Sequence, residues 1–332
     1  MKNIAIVGCG YWGKNLVRNF YKLGVLKTIC DIDEKLLTKL NKVYPDITCT
    51  NDFQRILTDS NINGIVISTS AISHYELTKK SLECGKNVLV EKPFTTQLID
   101  AEELTEMAEK KKIILMVGFT FLYNAAVRKI KEIIDSGELG EIYYVYSQRL
   151  NLGIVRKDVN VWWNLAPHDV SIINYWLNQK AKSVHGFGVS FIQNGIEDVV
   201  SANIKFEKVP TAFIHVSWLD PHKIRQMTVV GSKKMVIYDD VSLDMKVQIY
   251  DKGIDRFEDF QTFGQFQLIH RAGDIHIPKI DFREPLEIEA AHFTDCISEN
   301  KEPLTSAKKA LPVVQILEAV QNSIKQGKII NL

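Results

Sequence analysis

Six residues near the N-terminus, Gly8-Cys9-Gly10-Tyr11-Trp12-Gly13, have the spacing with which a main chain can hold a pyrophosphate. They follow the apolar run Ile4–Val7 and open an amphipathic stretch, Lys14–Leu23, which is the strand–turn–helix context the pattern requires. The first glycine permits a tight turn, the second lets the backbone approach the phosphates, and the third lets helix and strand pack closely. The helix start adds unpaired N–H groups and partial positive charge. Asp31 lies about 20 residues beyond the glycines, at the end of a second apolar run, where a carboxylate accepts hydrogen bonds from the adenosine ribose. It would repel a 2′-phosphate, and no arginine stands nearby to receive one, so the expected cofactor is NAD. Tyr11, Trp12 and Ile32 complete the expected dinucleotide contacts. Asp33, followed by Glu34 and a helical run, reads instead as a helix N-cap.

A second group of interest is Glu91-Lys92-Pro93-Phe94, directly after the apolar run Asn87–Val90. In an open parallel sheet the carboxyl ends of the strands face the ligand crevice. Lys92 at that place reads as a site residue rather than a solvated charge. Other charged runs carry less. Lys110-Lys111-Lys112 complements a helix end, and Asp239-Asp240 reads as a turn. His270, His276 and His292 lack metal-ligand spacing, and no metal is expected.

The elements that must position these residues fall into two parts. At 332 residues the chain is long for one core. Its first 120 or so residues alternate short apolar runs with helical stretches, the pattern of a doubly wound parallel sheet. Beyond Asn124 come longer strands with alternation of period two. In Thr211–Trp218, Ala212, Ile214, Val216 and Trp218 share one face. Helices return at Ala166–Leu177, Pro285–Glu299 and Ala307–Lys325. The expected fold is therefore α/β: a Rossmann domain over residues 1–121, then an α+β domain over 122–332 with a large open, mainly antiparallel sheet. A ligand is expected in the cleft between them.

Composition excludes several classes of function. Lys and Arg number 41 against 40 Asp and Glu, which leaves no basic excess for nucleic acid or anionic membrane. No apolar run is long enough to span a bilayer. Five cysteines without close pairing suggest reduced thiols and a cytoplasmic location. Apolar alternation in the open sheet, with Trp218 on its apolar face, suggests a homodimer or homotetramer.

Taken in order, Gly8–Gly13, Asp31, Ser68-Thr69-Ser70 with His74, and Glu91-Lys92-Pro93 closely resemble the glucose–fructose oxidoreductase and inositol dehydrogenase (Gfo/Idh/MocA) family across essentially the whole chain. The resemblance implies that Thr69, Ser70, His74, Glu91 and Lys92 line the cofactor, with Lys92 between nicotinamide and substrate. It also implies that His168, which alone would read as an ordinary residue early in a helix, is catalytic. Asn164 stands where many members carry aspartate. That, with Arg156, Asp158-Val159-Asn160 and Trp163-Asn164-Leu165-Ala166-Pro167-His168, resembles the dehydrogenases that oxidise UDP-N-acetylhexosamines at C3, whose keto product goes on to transamination.

The chemistry implied is oxidation of a secondary alcohol. A hydride leaves for NAD and the hydroxyl proton goes to a base. Imidazole suits the second task because its pKa lies near neutrality, and an ammonium would stabilise developing alkoxide. Either Lys92 or His168 could be the formal base. For a UDP-sugar, Arg149 and Arg156 are the candidates for the pyrophosphate and Tyr123 and Asn124 for sugar hydroxyls, with Asn164 among the substrate-binding residues. Four alternatives stay open: a ketosugar reductase, a dehydrogenase of inositol or another sugar without a nucleotide, a redox-neutral NAD-dependent glycosidase, and a non-catalytic NAD-binding sensor.

Overall fold

A computed structural model of the chain describes residues 3–153, 155–208, 210–254 and 270–332. The chain forms two compact units, one made of Met1–Tyr123 and Arg283–Glu318, the other of Asn124–Phe282 and Ala319–Leu332.

In the first unit the chain runs β1 (Ile4–Val7), α1 (Gly13–Lys22), β2 (Leu26–Cys30), α2 (Glu34–Val43), β3 (Thr48–Thr50), α3 (Phe53–Thr58), β4 (Gly64–Ile67), α4 (His74–Glu83), β5 (Asn87–Glu91), α5 (Leu98–Lys111) and β6 (Leu115–Gly118). The six strands are parallel in the order β3-β2-β1-β4-β5-β6. Residues on both faces of β1, β4 and β6 are buried, which is why these strands read as continuous apolar runs. Strand order reverses between β1 and β4, so the crevice of the sheet opens after Val7 and Ile67. Asp33 caps α2, accepting from the N–H groups of Lys35 and Leu36, as its position suggested.

The second unit holds α6 (Ala125–Asp135), β7 (Ile142–Leu150), α7 (Val161–Leu177), β8 (Ala181–Val189), β9 (Val199–Phe206), β10 (Thr211–Ser217), β11 (Ile224–Gly231), β12 (Met235–Asp239), β13 (Val247–Ile254) and β14 (His270–His276). After it come α8 (Pro285–Glu299), α9 (Ala307–Gln326) and β15 (Ile330–Asn331). Nine strands form one sheet in the order β14-β13-β12-β11-β7-β10-β9-β8-β15. Among the described residues of this sheet only the β7–β10 pair is parallel, so the mainly antiparallel sheet is as expected. The fold class, a Rossmann domain followed by a large antiparallel-rich sheet, matches the reading from sequence.

Four details differ from the sequence reading. The second part was expected to keep all of 122–332, yet 283–318 belongs to the first unit. Leu286, Ala290, Phe293 and Ile297 of α8 enter the core containing Ile4, Leu16, Phe20 and Val66. Lys22 pairs with Glu287 at 2.7 Å, and Arg18 pairs with Glu284. α7 begins at Val161 rather than Ala166, because Asn160 accepts from Trp163 N–H as N-cap and Pro167 is carried inside the helix. β8 escaped notice because Gly186 and Gly188 dilute its pattern. A Cβ at either would lie 3.2 Å or less from Val320 or Ile324 of α9, so close packing demands glycine there. Finally, the apolar face with Ala212, Ile214, Val216 and Trp218 is buried, and α7 packs against β7, β9 and β10. The apolar surface left exposed is the other face, with Tyr144, Tyr146, Phe187 and Phe213. Among the described residues no helix is long and apolar enough to cross a membrane, and no cluster of ligating side chains could hold a metal.

Candidate active site

The glycine loop follows β1 at the switch point and each glycine meets a different constraint. Gly8 has φ +85°, and a Cβ on it would lie 2.7 Å from the Thr69 side chain. A Cβ on Gly13 would lie 2.1 Å from the Gly8 carbonyl oxygen. Around Gly10, by contrast, a Cβ would meet nothing within 4 Å. Gly10 therefore stays bare for what approaches from outside, not for the fold. No side chain caps the N-terminus of α1 at Trp12. Asp31 accepts from Cys9 N–H at 2.6 Å with one oxygen and from Asp33 N–H at 2.9 Å with the other. Its carboxylate is thus aimed along the loop at the end of β2. Bare main chain, a helix start and an oriented carboxylate fit a dinucleotide. Tyr11 and Ile32 are exposed beside it.

The loop after β4 is braced from below. Ser68 Oγ donates to the Gly8 carbonyl at 2.5 Å, and Ser73 Oγ donates to Thr69 Oγ1 at 2.7 Å. His74 was expected to line the cofactor. It is buried instead, with Nδ1 2.7 Å from the Pro93 carbonyl and Nε2 3.3 Å from that of Thr69. Its ring ties the Thr69 turn to the segment bearing Lys92, which is joined to Pro93 by a cis peptide. Thr69 is half-buried and Ser70 exposed at the same turn.

Glu91 ends β5 and is buried, whereas Lys92 is half-buried. Trp12 Nε1–H donates to Glu91 Oε1 at 2.5 Å, so the glycine loop is fastened directly to the Glu-Lys-Pro strand end. Gly118, the β6 residue opposite Glu91, makes room for it: a Cβ there would sit 3.1 Å from the Glu91 carboxyl. Burial pushes the Glu91 carboxyl up to about 7 despite the Trp12 hydrogen bond and the nearby Lys92 charge. Glu289 of α8, which the sequence reading passed over, is fully buried and accepts from Thr120 Oγ1–H at 2.7 Å. Burial first, and the Glu91 charge second, push its carboxyl well above the ordinary carboxylate range. One signal was available: Glu289 falls among Leu286, Ala290 and Phe293, on the face of α8 that carries core residues. Tyr123, expected to touch substrate, is buried in this unit, with its hydroxyl 3.4 Å from Thr305 Oγ1 and its ring 5.6 Å from that of His292. That placement corrects its assignment. The hollow of about 320 Å³ lined by Thr105, Lys112, Ile114, Asn300 and Ser306 holds no predicted site residue.

In the second unit, Asn164 and His168 are four residues apart on α7 and so share a face of the helix, both half-buried. Trp218 Nε1–H donates to Asn164 Oδ1 at 3.2 Å, which fixes the amide. Arg149 corrects another expectation. Its guanidinium is buried and forked onto Asp169, at 2.8 Å from Nε and 3.0 Å from Nη2, which is the placement of a structural ion pair. Arg156 is partly exposed and makes a similar fork onto Asp158, whose carboxyl that hydrogen bond holds below its usual range.

Comparison with known proteins decides the family. Residues 2–119 match the NAD-binding Rossmann fold of the GFO/IDH/MocA oxidoreductases, and residues 127–237 match the C-terminal domain of the same group. The chain belongs to the GFO/IDH/MocA family. It is an NAD-dependent oxidoreductase. Among its relatives is scyllo-inositol 2-dehydrogenase (NAD(+)) of Bacillus subtilis (strain 168), 24% identical, with 99% of this chain and 95% of the relative aligned. Solved structures of the same fold include GenD2 from gentamicin A biosynthesis in complex with NAD, at TM-score 0.83 and 20% identity, covering 100% of this chain and 96% of that one. UDP-N-acetylglucosamine 3-dehydrogenase GnnA from Acidithiobacillus ferrooxidans gives TM-score 0.83 at 16% identity, covering 98% of both chains.

Proposed function

We propose that this member of the family oxidises a ring hydroxyl carbon of a sugar, the C3 of a nucleotide sugar such as a UDP-N-acetylhexosamine. The observation that supports the reading is the hydrogen bond from Trp12 in the glycine loop to Glu91, the chain neighbour of Lys92. When bound, NAD supplies the hydride acceptor. Gly8, Gly10 and Gly13 with Asp31 hold the dinucleotide, helped by Tyr11, Trp12, Ile32, Thr69 and Ser70. Lys92 orients the hydroxyl and stabilises negative charge on its oxygen as the proton leaves. His168 takes that proton as general base. Asn164, whose amide Trp218 holds, binds a sugar hydroxyl, and Arg156 meets a substrate phosphate. The relatives' names, among them a UDP-N-acetylglucosamine 3-dehydrogenase, support the substrate class.

A second reading, a dehydrogenase of inositol or a similar polyol without a nucleotide, is favoured by two observations. The Bacillus subtilis scyllo-inositol dehydrogenase aligns with nearly the whole chain. Arg149 is committed to Asp169, which removes one of the two cations expected to meet a UDP group. The test is a panel of UDP-hexosamines, inositols and free sugars with NAD, read by NADH absorbance and by product mass. Loss of two hydrogens from a UDP-sugar supports the first reading. Oxidation of an inositol alone replaces it with the second, and NADH from no member of the panel sinks both.

Tyr144, Tyr146, Phe187 and Phe213, exposed on one sheet face, support assembly as a homodimer or homotetramer. Five unpaired cysteines support a reducing, cytoplasmic setting.

A further inference from the structure

Two carboxyl groups from distant parts of the chain are buried together beneath the glycine loop. Glu91 arrives on β5 and Glu289 on α8. They are brought close by consecutive features of one segment: Gly118 lies against the Glu91 carboxyl, and Thr120 donates to Glu289. Both are buried, Glu289 completely, and Glu289 Oε1 has no hydrogen-bond partner among the described residues. An apolar side chain at 289 would fill the same interior without the penalty of burying an acid.

Two carboxylates in one dry space do not both ionise. Their partners decide which one carries the charge. Glu91 has the Trp12 indole N–H at 2.5 Å, the Lys92 backbone N–H at 3.3 Å and the Lys92 ammonium as a neighbouring charge. Glu289 has the Thr120 hydroxyl. Of the elements packed on α8, α1 brings Arg18 and Lys22, which pair with Glu284 and Glu287 nearer the start of the helix. The turn Thr120–Tyr123 brings only Thr120 and the Tyr123 phenol.

We propose that Glu91 and Glu289 form a one-proton dyad that positions the dinucleotide loop. Glu289 keeps the proton and the negative charge stays on Glu91. That charge holds the Trp12 indole, and with it the start of α1, in place for the pyrophosphate. The pKa directions agree with a single shared charge: burial raises both carboxyls, and the Glu91 charge raises Glu289 besides. Both residues are positioning residues here, acting through Trp12.

The test needs only NAD, so it stands apart from the identity of the sugar. Infrared difference spectra of wild type minus Glu289→Gln at pH ~7.5 are expected to show the C=O stretch of a protonated buried carboxyl. In Glu91→Gln, with the neighbouring charge gone, that band titrates away at lower pH than in wild type. By calorimetry, Trp12→Phe and Glu91→Gln each weaken NAD binding about tenfold, the scale of one charge-assisted hydrogen bond. The double variant is no weaker than the worse single one. No protonated band, a band unmoved by Glu91→Gln, or additive losses in the double variant would each overturn the dyad. Should Glu91→Gln not fold, Trp12→Phe alone decides: loss of its N–H is expected to make Glu91 hold a proton to higher pH, and an unchanged carboxyl titration refutes the coupling.

Discussion

Gly10 and Gly13 look interchangeable in sequence, yet the structure gives them opposite reasons to lack a side chain. Alanine at 13 puts a Cβ 2.1 Å from the Gly8 carbonyl oxygen. The obstacle is backbone and cannot rotate away, so the cost belongs at the upper end of overpacking, about 3 kcal/mol. For a unit of this size that is a fall of roughly 6–12 °C in melting temperature. Alanine at 10 meets nothing within 4 Å and leaves the empty protein's melting temperature within about 1 °C. Its methyl instead occupies the approach to the main chain. Losing one or two hydrogen bonds to a charged phosphate costs about 2–3 kcal/mol, or roughly 30- to 150-fold in NAD affinity. Thermal melts with and without NAD, paired with calorimetric titration, separate the two effects. A Gly10→Ala protein that melts normally and binds NAD with wild-type affinity would show that the pyrophosphate does not lie against this stretch, and the cofactor placement would fall with it.

Lys92→Ala and His168→Ala are each expected to lower turnover by at least ~100-fold, with NAD affinity near normal in the second. Steady-state rates with calorimetry check both, and wild-type turnover in His168→Ala removes it from the mechanism. Arg149→Met strands Asp169 in the interior and should cost about 3–5 kcal/mol, while Arg149→Met with Asp169→Leu recovers most of it; equal melts for the two proteins would deny the pair its structural role. Glu91 has a pH signature in stability. Its folded carboxyl sits at about 7 against an ordinary 4.5, so the folded state binds the proton more tightly than the unfolded chain. Its contribution is most favourable below pH ~4.5 and is lost as pH rises to ~7. Denaturant melts across that window should show a shallower decline for Glu91→Gln, and parallel curves would count against the buried charge.

Much of the candidate site could be read in the sequence because its residues answer to local rules. The glycines follow from turn geometry and strand–helix packing, Asp33 from capping, and Asp31 and Lys92 from the ends of parallel strands. What stayed hidden depends on partners far away in the chain. Arg149 looked like a phosphate ligand until Asp169 was found beneath it. His74 looked like a cofactor contact, yet its ring lies between two backbone carbonyls, those of Pro93 and Thr69. Tyr123 sits at the expected boundary, but its hydroxyl turns inward to Thr305.

The sequence by itself determined the alternation of strand and helix, the parallel sheet with its switch point, and the dinucleotide chemistry of the first unit, because side-chain period and glycine sterics act over a few residues. Only the tertiary structure decided that residues 283–318 return to that unit and bury Glu289 within reach of the Glu91 charge. An amphipathic helix records in its sequence that it has a face to bury; which surface receives that face is settled by packing across the whole fold.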